Sequence, residues 1–143
     1  MNSLLYGKSL VSIQDLNTDE IAQIIELAHK LQAAPSAGAL SNHILGSCFF
    51  EASTRTRLSF EAAAQRLGMG VIGFSDDSNT SLAQKGESLS DSLKIISQYA
   101  NCLVLRHPRE GASRLAAEVC DIPIINAGDG ANQHPTQTLL DLY

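Results

Sequence analysis

Positive charge, aromatic side chains and long apolar runs are all scarce in this chain of 143 residues, which has no tryptophan. Its 10 Lys and Arg residues stand against 15 Asp and Glu residues, which gives a formal net charge of -5. Because a nucleic-acid-binding domain needs a basic face, this balance argues against that class of protein. No apolar run approaches the ~20 residues that span a membrane, and the N-terminus lacks the basic and apolar regions of a secretory signal. We therefore expect a soluble cytoplasmic protein without nucleic-acid or membrane partners.

Cysteine is sparse as well. Cys48, Cys102 and Cys120 are odd in number and widely spaced, without a C-x-x-C pair. This spacing favours neither a disulfide framework nor a zinc site. Cys48 and Cys102 lie inside apolar runs, which is typical of small buried hydrophobic residues, whereas a reactive thiol needs an electropositive and partly exposed setting. We therefore expect no metal site and no catalytic thiol.

The chain does contain a regular alternation of two kinds of segment. Four short apolar runs, "ILGSCFF", "VIGF", "CLVLR" and "IPIIN", are separated by stretches in which apolar residues recur at helical spacing. The content of 44% hydrophobic and 17% charged residues is that of a globular chain. The alternation predicts an α/β fold in one domain, with a doubly wound, mainly four-stranded parallel sheet flanked by helices on both faces.

Cap residues locate several helices. Asn17 or Thr18 precedes the first periodic segment, and Ser88 precedes a later one with Asp91 three positions on. A glycine-rich turn, "AGDGANQ", is expected after the fourth strand, and a polar surface loop over 75–87. The last segment, "TQTLLDLY", has helical spacing but no glycine to end it. We therefore expect a piece of a longer protein, with a further domain after Tyr143.

The most informative stretch is Ser53-Thr54-Arg55-Thr56-Arg57, which lies between the first strand and the next helix. Ligands of an open parallel sheet bind beyond the carboxyl ends of its strands. The first N–H groups of a helix lack partners and favour an anion there. Hydroxyl groups and a planar guanidinium add donors that match phosphate oxygens. This pattern predicts a phosphate-binding site, although a Ser/Thr helix cap with solvated arginines is the alternative.

Further polar groups follow other strands or lie on the polar loop. Arg106 ends the third strand, and His134 and Gln137 follow the fourth. A histidine can polarise a carbonyl oxygen, and a glutamine carbonyl can accept from an amide NH₂. Taken singly, Arg106 could be a surface charge, His134 a structural residue, and Ser81 and Lys85 solvated loop residues. Together they predict a pocket that positions and polarises a phosphorylated carbonyl compound, without a nucleophile.

Four separated motifs resemble a known family. They are "FFEASTRTRLSFE" from Phe49, "SLAQKGES" from Ser81, "RHP" from Arg106 and "HPTQTLLDLY" from His134. Together they resemble the aspartate/ornithine carbamoyltransferase family, and within it the aspartate carbamoyltransferase catalytic chains, from about Val11 to Tyr143. In that family the N-terminal half is the carbamoyl-phosphate-binding domain. The resemblance implies that residues 1–143 form this domain, and that the aspartate-binding C-terminal domain is absent.

The resemblance also assigns roles within the site. The carbamoyl-phosphate ligands that it implies are Ser53, Thr54, Arg55, Thr56, Arg106, His134 and Gln137. Arg55 would steady the phosphate as it leaves, while Thr56, Arg106 and His134 polarise the carbonyl oxygen. Gln137 would hold the carbamoyl NH₂. No metal or organic cofactor serves the reaction in this family.

Subunit contacts are implied in the same way. Ser81 and Lys85 would reach into the site of a neighbouring subunit, so that the active sites lie between chains of a homotrimer. Lys85 would then count among the catalytic residues. Glu51 would help to orient arginines of the other domain. Glu110 and Arg114 also resemble residues of catalytic chains that dock a separate regulatory chain.

The activity implied is transfer of the carbamoyl group from carbamoyl phosphate to L-aspartate. The products would be N-carbamoyl-L-aspartate and phosphate, in de novo pyrimidine biosynthesis, with this chain inactive alone. Ornithine carbamoyltransferases share S-T-R-T-R and H-P-T-Q, but the Ser81/Lys85 pattern and "RHP" favour aspartate. A non-catalytic anion-binding module is the alternative from a different class of protein.

Overall fold

A four-stranded parallel sheet forms the centre of the molecule. The computed structural model describes residues 4–75 and 86–143. The sheet has the strand order β2-β1-β3-β4. Its strands are β1 (Ile44–Phe49), β2 (Gly70–Ser75), β3 (Cys102–His107) and β4 (Ile124–Asp129). The helices are α1 (Thr18–Ala33), α2 (Thr54–Arg66), α3 (Leu89–Ser97), α4 (Ala112–Val119) and α5 (Pro135–Leu142), and a 3-10 turn covers Ile13–Asp15. The predicted α/β class and parallel sheet are confirmed.

The core lies on both faces of the sheet because side chains alternate along each strand. One buried cluster joins the sheet to α3 and α4, and consists of Cys48, Phe50, Leu93, Leu103, Leu105, Ala116, Cys120 and Ile124. The other joins the sheet to α2, and consists of Leu45, Phe49, Ala64, Met69, Val104 and Ala127. Helix α5 contacts β4 and is itself contacted by α1. Helices therefore flank both faces, as predicted.

Two of the helix starts follow the cap chemistry of the sequence. Asn17 caps α1: its Oδ1 accepts from the backbone N–H of Glu20 at 2.9 Å, while Glu20 Oε2 accepts from the N–H of Asn17 at 2.9 Å. This reciprocal pair selects Asn17 over Thr18 as the cap. Ser88 caps α3, since its Oγ accepts from the N–H of Asp91 at 3.1 Å. Both segments therefore begin where local hydrogen bonding favours a helix.

The prediction for the fourth strand was wrong at both ends. It placed the strand at 122–126 and a glycine-rich turn at 127–133, whereas β4 runs over Ile124–Asp129. Pro123 has no N–H to donate to a ladder. The β3–β4 register shifts between Leu105 and His107, so that β4 continues through a bulge around Gly128. The extra residues at the end of β4 are buried and lie next to the candidate site.

The cysteines behave as the sequence predicts. Cys48 and Cys120 are buried, and Cys102 is partly buried. Burial raises the pKa of Cys48 to about 12 and that of Cys102 to about 11. These thiols therefore stay protonated at neutral pH. Across 4–75 and 86–143, no helix is long and apolar enough to cross a lipid bilayer.

Candidate active site

A cleft of about 700 Å³ opens beyond the carboxyl ends of the strands. The strand order reverses between β1 and β3, which is where open α/β sheets bind ligands. The polar side chains that line the cleft are Ser53, Arg55, Thr56, Ser59, Arg106, His134, Thr136 and Gln137. The apolar ones are Phe60, Ala63 and Leu140. None of these lining side chains is a carboxylate, so the cleft is cationic although the whole chain is acidic.

The structure gathers most of the predicted site residues from three separate segments. Those in the cleft are Ser53, Arg55, Thr56, Arg106, His134 and Gln137. Thr54 is exposed and does not line it. Ser81 and Lys85 lie outside the described residues. Residues far apart in sequence thus meet because the ends of β1, β3 and β4 share one edge of the sheet.

The start of α2 forms one wall of the cleft. Ser53 is its N-cap residue, yet the Ser53 side chain makes no capping hydrogen bond. The first backbone bond of the helix runs from Arg57 N–H to Ser53 O at 3.1 Å. The preceding N–H groups have no partner within the helix, and no acidic residue occupies the first turn. The structure therefore shows no side-chain cap at Ser53, which speaks against the cap alternative for this hydroxyl.

Arg57, also on the first turn of α2, does not line the cleft. Its Nε donates to Glu61 Oε1 at 2.7 Å, and Ser47 Oγ on β1 donates to the same oxygen at 2.9 Å. Burial tends to raise the pKa of Glu61, but these hydrogen bonds outweigh it and the pKa is lowered. Within the stretch 53–57, Arg57 is therefore engaged with Glu61, and it is also the residue of this stretch that the family resemblance leaves out of its ligand set. Arg57 ties α2 to the sheet, and Arg55 remains as the arginine that faces the cleft.

Arg106 reaches the cleft from the end of β3. Its Nη1 donates to the backbone oxygen of Ala127 on β4 at 3.0 Å. Its Nε lies 3.1 Å from Glu51 Oε2, and the Arg106 side chain is only 23% exposed. The alternative of a solvated surface charge is therefore wrong for Arg106. Glu51, which the family resemblance pairs with arginines of another domain, pairs with Arg106 in this chain.

His134 is the N-cap residue of α5 and makes no side-chain capping bond. Burial, and secondly the positive charge of Arg106, lower the pKa of His134 below its ordinary value. The ring is therefore neutral at pH 7 and can donate a hydrogen bond from one nitrogen. Its Nδ1 lies 3.2 Å from Thr136 Oγ1.

Gln137 follows on the first turn of α5. Its Nε2 donates to Asp141 Oδ1 at 3.0 Å, which fixes the amide orientation because an ionised carboxylate accepts only. The Oε1 atom is therefore the part of the amide left to meet a ligand. It offers an acceptor in a cleft that otherwise presents mainly donors.

A family model described as "Aspartate/ornithine carbamoyltransferase, carbamoyl-P binding domain" matches residues 8–143. The chain belongs to the aspartate/ornithine carbamoyltransferase family. Two aspartate carbamoyltransferase catalytic subunits, from Aliivibrio salmonicida and Aliivibrio fischeri, are each 60% identical over 144 aligned positions. Each alignment covers 100% of this chain but 47% of the relative, so the chain spans about half the length of these curated relatives.

Solved aspartate transcarbamoylases share the fold. The catalytic subunit from M. jannaschii superposes with a TM-score of 0.87 and 54% identity, over 95% of this chain and 45% of that one. The Trypanosoma cruzi enzyme, solved with carbamoyl phosphate and aspartate, gives a TM-score of 0.89 and 40% identity, over 98% and 44%. The predicted family resemblance is confirmed.

Sequence reasoning missed part of this carbamoyltransferase-family cleft. Ser59, Phe60 and Ala63 line it because they follow Thr56 by three, four and seven positions on one face of α2. Helical spacing from Thr56 is the signal that would have found them. Thr136 was missed as well, and its contact with the His134 ring becomes visible only in the structure.

Proposed function

We propose that this chain is the carbamoyl-phosphate-binding half of an aspartate carbamoyltransferase. The single observation that carries the proposal is the cationic cleft, in which the N-termini of α2 and α5 and the guanidinium of Arg106 converge. A phosphate dianion next to a small polar carbonyl group fits this arrangement. The opposite class of function, a plain anion-binding module, has no need for a neutral histidine and a glutamine acceptor at the same point.

The phosphate end of the substrate binds at the start of α2. The unpaired N–H groups of the first turn, the hydroxyls of Ser53 and Thr56, and the Arg55 guanidinium supply donors and positive charge. Charge-assisted hydrogen bonds of this kind contribute on the order of 1.5–3 kcal/mol each. Thr54 belongs to this set through its backbone N–H, since its side chain is exposed. These donors also stabilise the phosphate after it separates from the carbamoyl group.

The carbamoyl end lies between β3 and α5. Arg106, His134 and Thr56 donate to the carbonyl oxygen, and Gln137 Oε1 accepts from the carbamoyl NH₂. The amine nitrogen of aspartate attacks the carbonyl carbon, and negative charge develops on this oxygen. The C–O bond to the phosphate then breaks, and the nitrogen gives up a proton that the departing phosphate can take. The donors hold fixed positions throughout, so the catalysis is positioning and electrostatic stabilisation.

Aspartate is the acceptor that the comparisons favour over ornithine, because the relatives at 60% identity are named aspartate carbamoyltransferase catalytic subunits. The proposal includes a cytoplasmic homotrimer that acts in pyrimidine biosynthesis, with Ser81 and Lys85 completing the site of a neighbouring subunit. It also includes docking of a regulatory chain near Glu110 and Arg114. In this structure Arg114 Nη2 is paired with Asp15 Oδ2 at 2.7 Å.

The activity is tested in a joined enzyme. We define this as the present chain fused to the segment of the Aliivibrio salmonicida relative that the chain does not cover. Phosphate release from carbamoyl phosphate is measured with L-aspartate, with L-ornithine and without an acceptor. We expect release that depends on aspartate and is lost in the Arg55→Ala variant. A folded joined enzyme without acceptor-dependent release would overturn the proposed function, and release with ornithine alone would overturn the choice of acceptor.

The shared site is tested by complementation. Joined enzymes with Lys85→Ala and with Arg55→Ala are each expected to be nearly inactive. When mixed under conditions in which subunits exchange, hybrid trimers should regain activity, because one interface then keeps both native residues. Hybrids as inactive as either parent would show that Lys85 does not serve a neighbour.

A further inference from the structure

A buried carboxylate lies directly behind the cleft. Asp129, at the end of β4, is 1% exposed. Its Oδ1 accepts from Asn126 Nδ2 at 3.0 Å and from the Gln133 N–H at 3.2 Å. Its Oδ2 accepts from the Gly111 N–H at 3.0 Å and from Asn132 Nδ2 at 3.3 Å. Donors from three parts of the chain therefore converge on the two oxygens of one side chain.

Two of these donors, the Gly111 N–H and the Gln133 N–H, lie on the segments next to the polarising groups. Gly111 is the N-cap residue of α4 and ends the turn that follows β3, the strand that carries Arg106 one residue before its end. Gln133 immediately precedes His134. Asp129 thus connects the segment that follows Arg106 with the segment that leads to His134. Neither connection is made by a side chain that lines the cleft itself.

Asn126 extends the connection to the bulge in β4. Its Oδ1 accepts from the Gly128 N–H at 2.9 Å, while its Nδ2 donates to Val11 O as well as to Asp129. Gly128 packs against the guanidinium of Arg106: a Cβ built there would lie 2.6 Å from Arg106 Nη1. The bulge at Gly128 therefore forms the backbone surface against which the Arg106 guanidinium packs.

We propose that Asp129 is a positioning residue that holds His134 and Arg106 at a fixed separation across the cleft. The inference rests on the proposed function, in which Arg106 and His134 donate to the same carbonyl oxygen and their separation therefore matters. Asp129 touches no substrate. It acts through the Gln133 N–H on one side, and through Gly111 and the Asn126–Gly128 contact on the other.

The role needs a carboxylate rather than an amide. Four donors meet two acceptor oxygens, and replacing one oxygen with NH₂ would set a donor against two other donors. Burial tends to raise the pKa of Asp129, but the hydrogen bonds outweigh it and the pKa is lowered, so the group is ionised at neutral pH. The negative charge also lies at the N-terminus of α4, where the helix dipole stabilises it.

The test follows the His134 ring by NMR in the present chain carrying Asp129→Asn. Setting an NH₂ group against two of the four donors should loosen the network that includes Gln133 and let the His134 ring move toward solvent, so the pKa of His134 should rise toward its ordinary value. Inorganic phosphate, which binds at the start of α2, should keep its affinity within ~3-fold, since that binding rests on other donors. An unchanged pKa of His134 in the folded variant would overturn the positioning role.

Two control variants separate positioning from general effects. Asp121→Asn makes the same change of charge at an exposed carboxylate in the loop before β4. Leu93→Ala removes a fully buried side chain on the other face of the sheet and lowers stability without touching the cleft. Neither should move the pKa of His134. If Leu93→Ala moved it as far as Asp129→Asn, the effect would be general loosening and the proposal would fail.

A milder variant covers the case in which Asp129→Asn does not fold. Asn132→Ala removes one donor to Asp129 from an exposed residue, and should raise the pKa of His134 by a smaller amount. If Asp129→Asn is unfolded and the pKa of His134 does not rise in a folded Asn132→Ala chain, the network serves folding alone and the proposal is overturned.

Kinetics in the joined enzyme keep the two proposals distinguishable. Asp129→Asn should lower kcat by ~10-fold or more and change the KM for carbamoyl phosphate by less, because the separation matters most when charge develops on the oxygen. If the joined enzyme is inactive but Asp129→Asn still shifts the pKa of His134, the carbamoyl-transfer function is overturned and the positioning role is not. If the joined enzyme is active and Asp129→Asn leaves kcat unchanged, the positioning role is overturned and the carbamoyl-transfer function is not.

Discussion

Arg106 on β3 donates from Nη1 to the backbone oxygen of Ala127 on β4 at 3.0 Å. A strand-end arginine would ordinarily sample many rotamers in water, but this bond fixes the guanidinium against the neighbouring strand. Glu51 forms an ion pair with the guanidinium, with its Oε2 at 3.1 Å from Arg106 Nε, although this contact lacks the geometry of a hydrogen bond. The cleft therefore presents a pre-oriented cation, which loses little entropy on binding an anion or a carbonyl oxygen.

Gly128→Ala should displace this cation. The added Cβ would lie 2.6 Å from Arg106 Nη1, and that atom is the far end of a long side chain, which can move away at the cost of its bond to Ala127. Because Arg106 meets the carbonyl oxygen, we expect the affinity for carbamoyl phosphate to fall by ~10-fold, the equivalent of one weakened charge-assisted hydrogen bond, as measured by calorimetry. Gly7→Ala is the matched control, because Gly7 also has a positive φ (+72°) but open space around its Cβ. Equal losses of affinity in the two variants would contradict the explanation.

Arg55→Ala and Arg57→Ala should separate binding from stability. Removing Arg55 takes a cation from the cleft, and phosphate affinity should fall by ~10-fold or more with little change in the urea midpoint. Removing Arg57 leaves Glu61 with Ser47 as its one side-chain partner among the described residues, and should lower the free energy of unfolding by about 1 kcal/mol or less, because the pair is partly exposed to solvent. Phosphate affinity should persist in that variant. A loss of affinity on removing Arg57 but not Arg55 would reverse the assignment of the two arginines.

That assignment is also where sequence reasoning reached its limit. The S-T-R-T-R run predicts an anion site at a helix start, and Ser53, Arg55 and Thr56 do line the cleft. The run by itself does not say which arginine faces the cleft. The family resemblance assigns Arg55, and the structure supplies the physical reason, since Glu61 and Ser47 lie under Arg57.

The fold was largely predictable because its elements carry local signals. Buried parallel strands consist of apolar runs in the sequence, and the cap residues Asn17 and Ser88 indicate where two of the helices begin. The end of β4 carries no such signal: glycine and aspartate at 128–129 are typical of a turn. They join a strand here because Asn126 Oδ1 accepts from the Gly128 N–H within the bulge, and because the buried Asp129 accepts from four donors. Neither contact is visible in the sequence.

Acid should weaken the fold in part through Glu61. Its pKa in the folded state is lowered below the unfolded value, so its stabilising effect is complete above about pH 4.3 and is lost as the pH falls through the folded pKa. Urea unfolding between about pH 6 and about pH 3 should show the free energy of unfolding declining with acid. Glu61→Gln should make that decline shallower, since one group with a lowered pKa is gone. An identical slope in the variant would mean that Glu61 is not ionically stabilised.

His134→Ala should damage turnover more than binding. A neutral imidazole that donates to a developing oxyanion acts mainly in the transition state, so kcat of the joined enzyme should drop by about 10²–10³ with a smaller change in carbamoyl-phosphate affinity. His43→Ala is the control, since His43 precedes β1 at the opposite edge of the sheet and is exposed. Collapsed affinity with normal turnover at saturation would make His134 a ground-state ligand instead.

The central claim is that one cleft receives both ends of carbamoyl phosphate, and an NMR titration of the present chain with this compound tests it most directly. We predict saturable shifts in the backbone amides of Thr54 to Thr56, in the side-chain amide of Gln137 and in the His134 ring. Inorganic phosphate should move the first set strongly and the other two weakly, because it lacks the carbamoyl group. Shifts confined to other surfaces, or an identical response to the two compounds, would contradict the account.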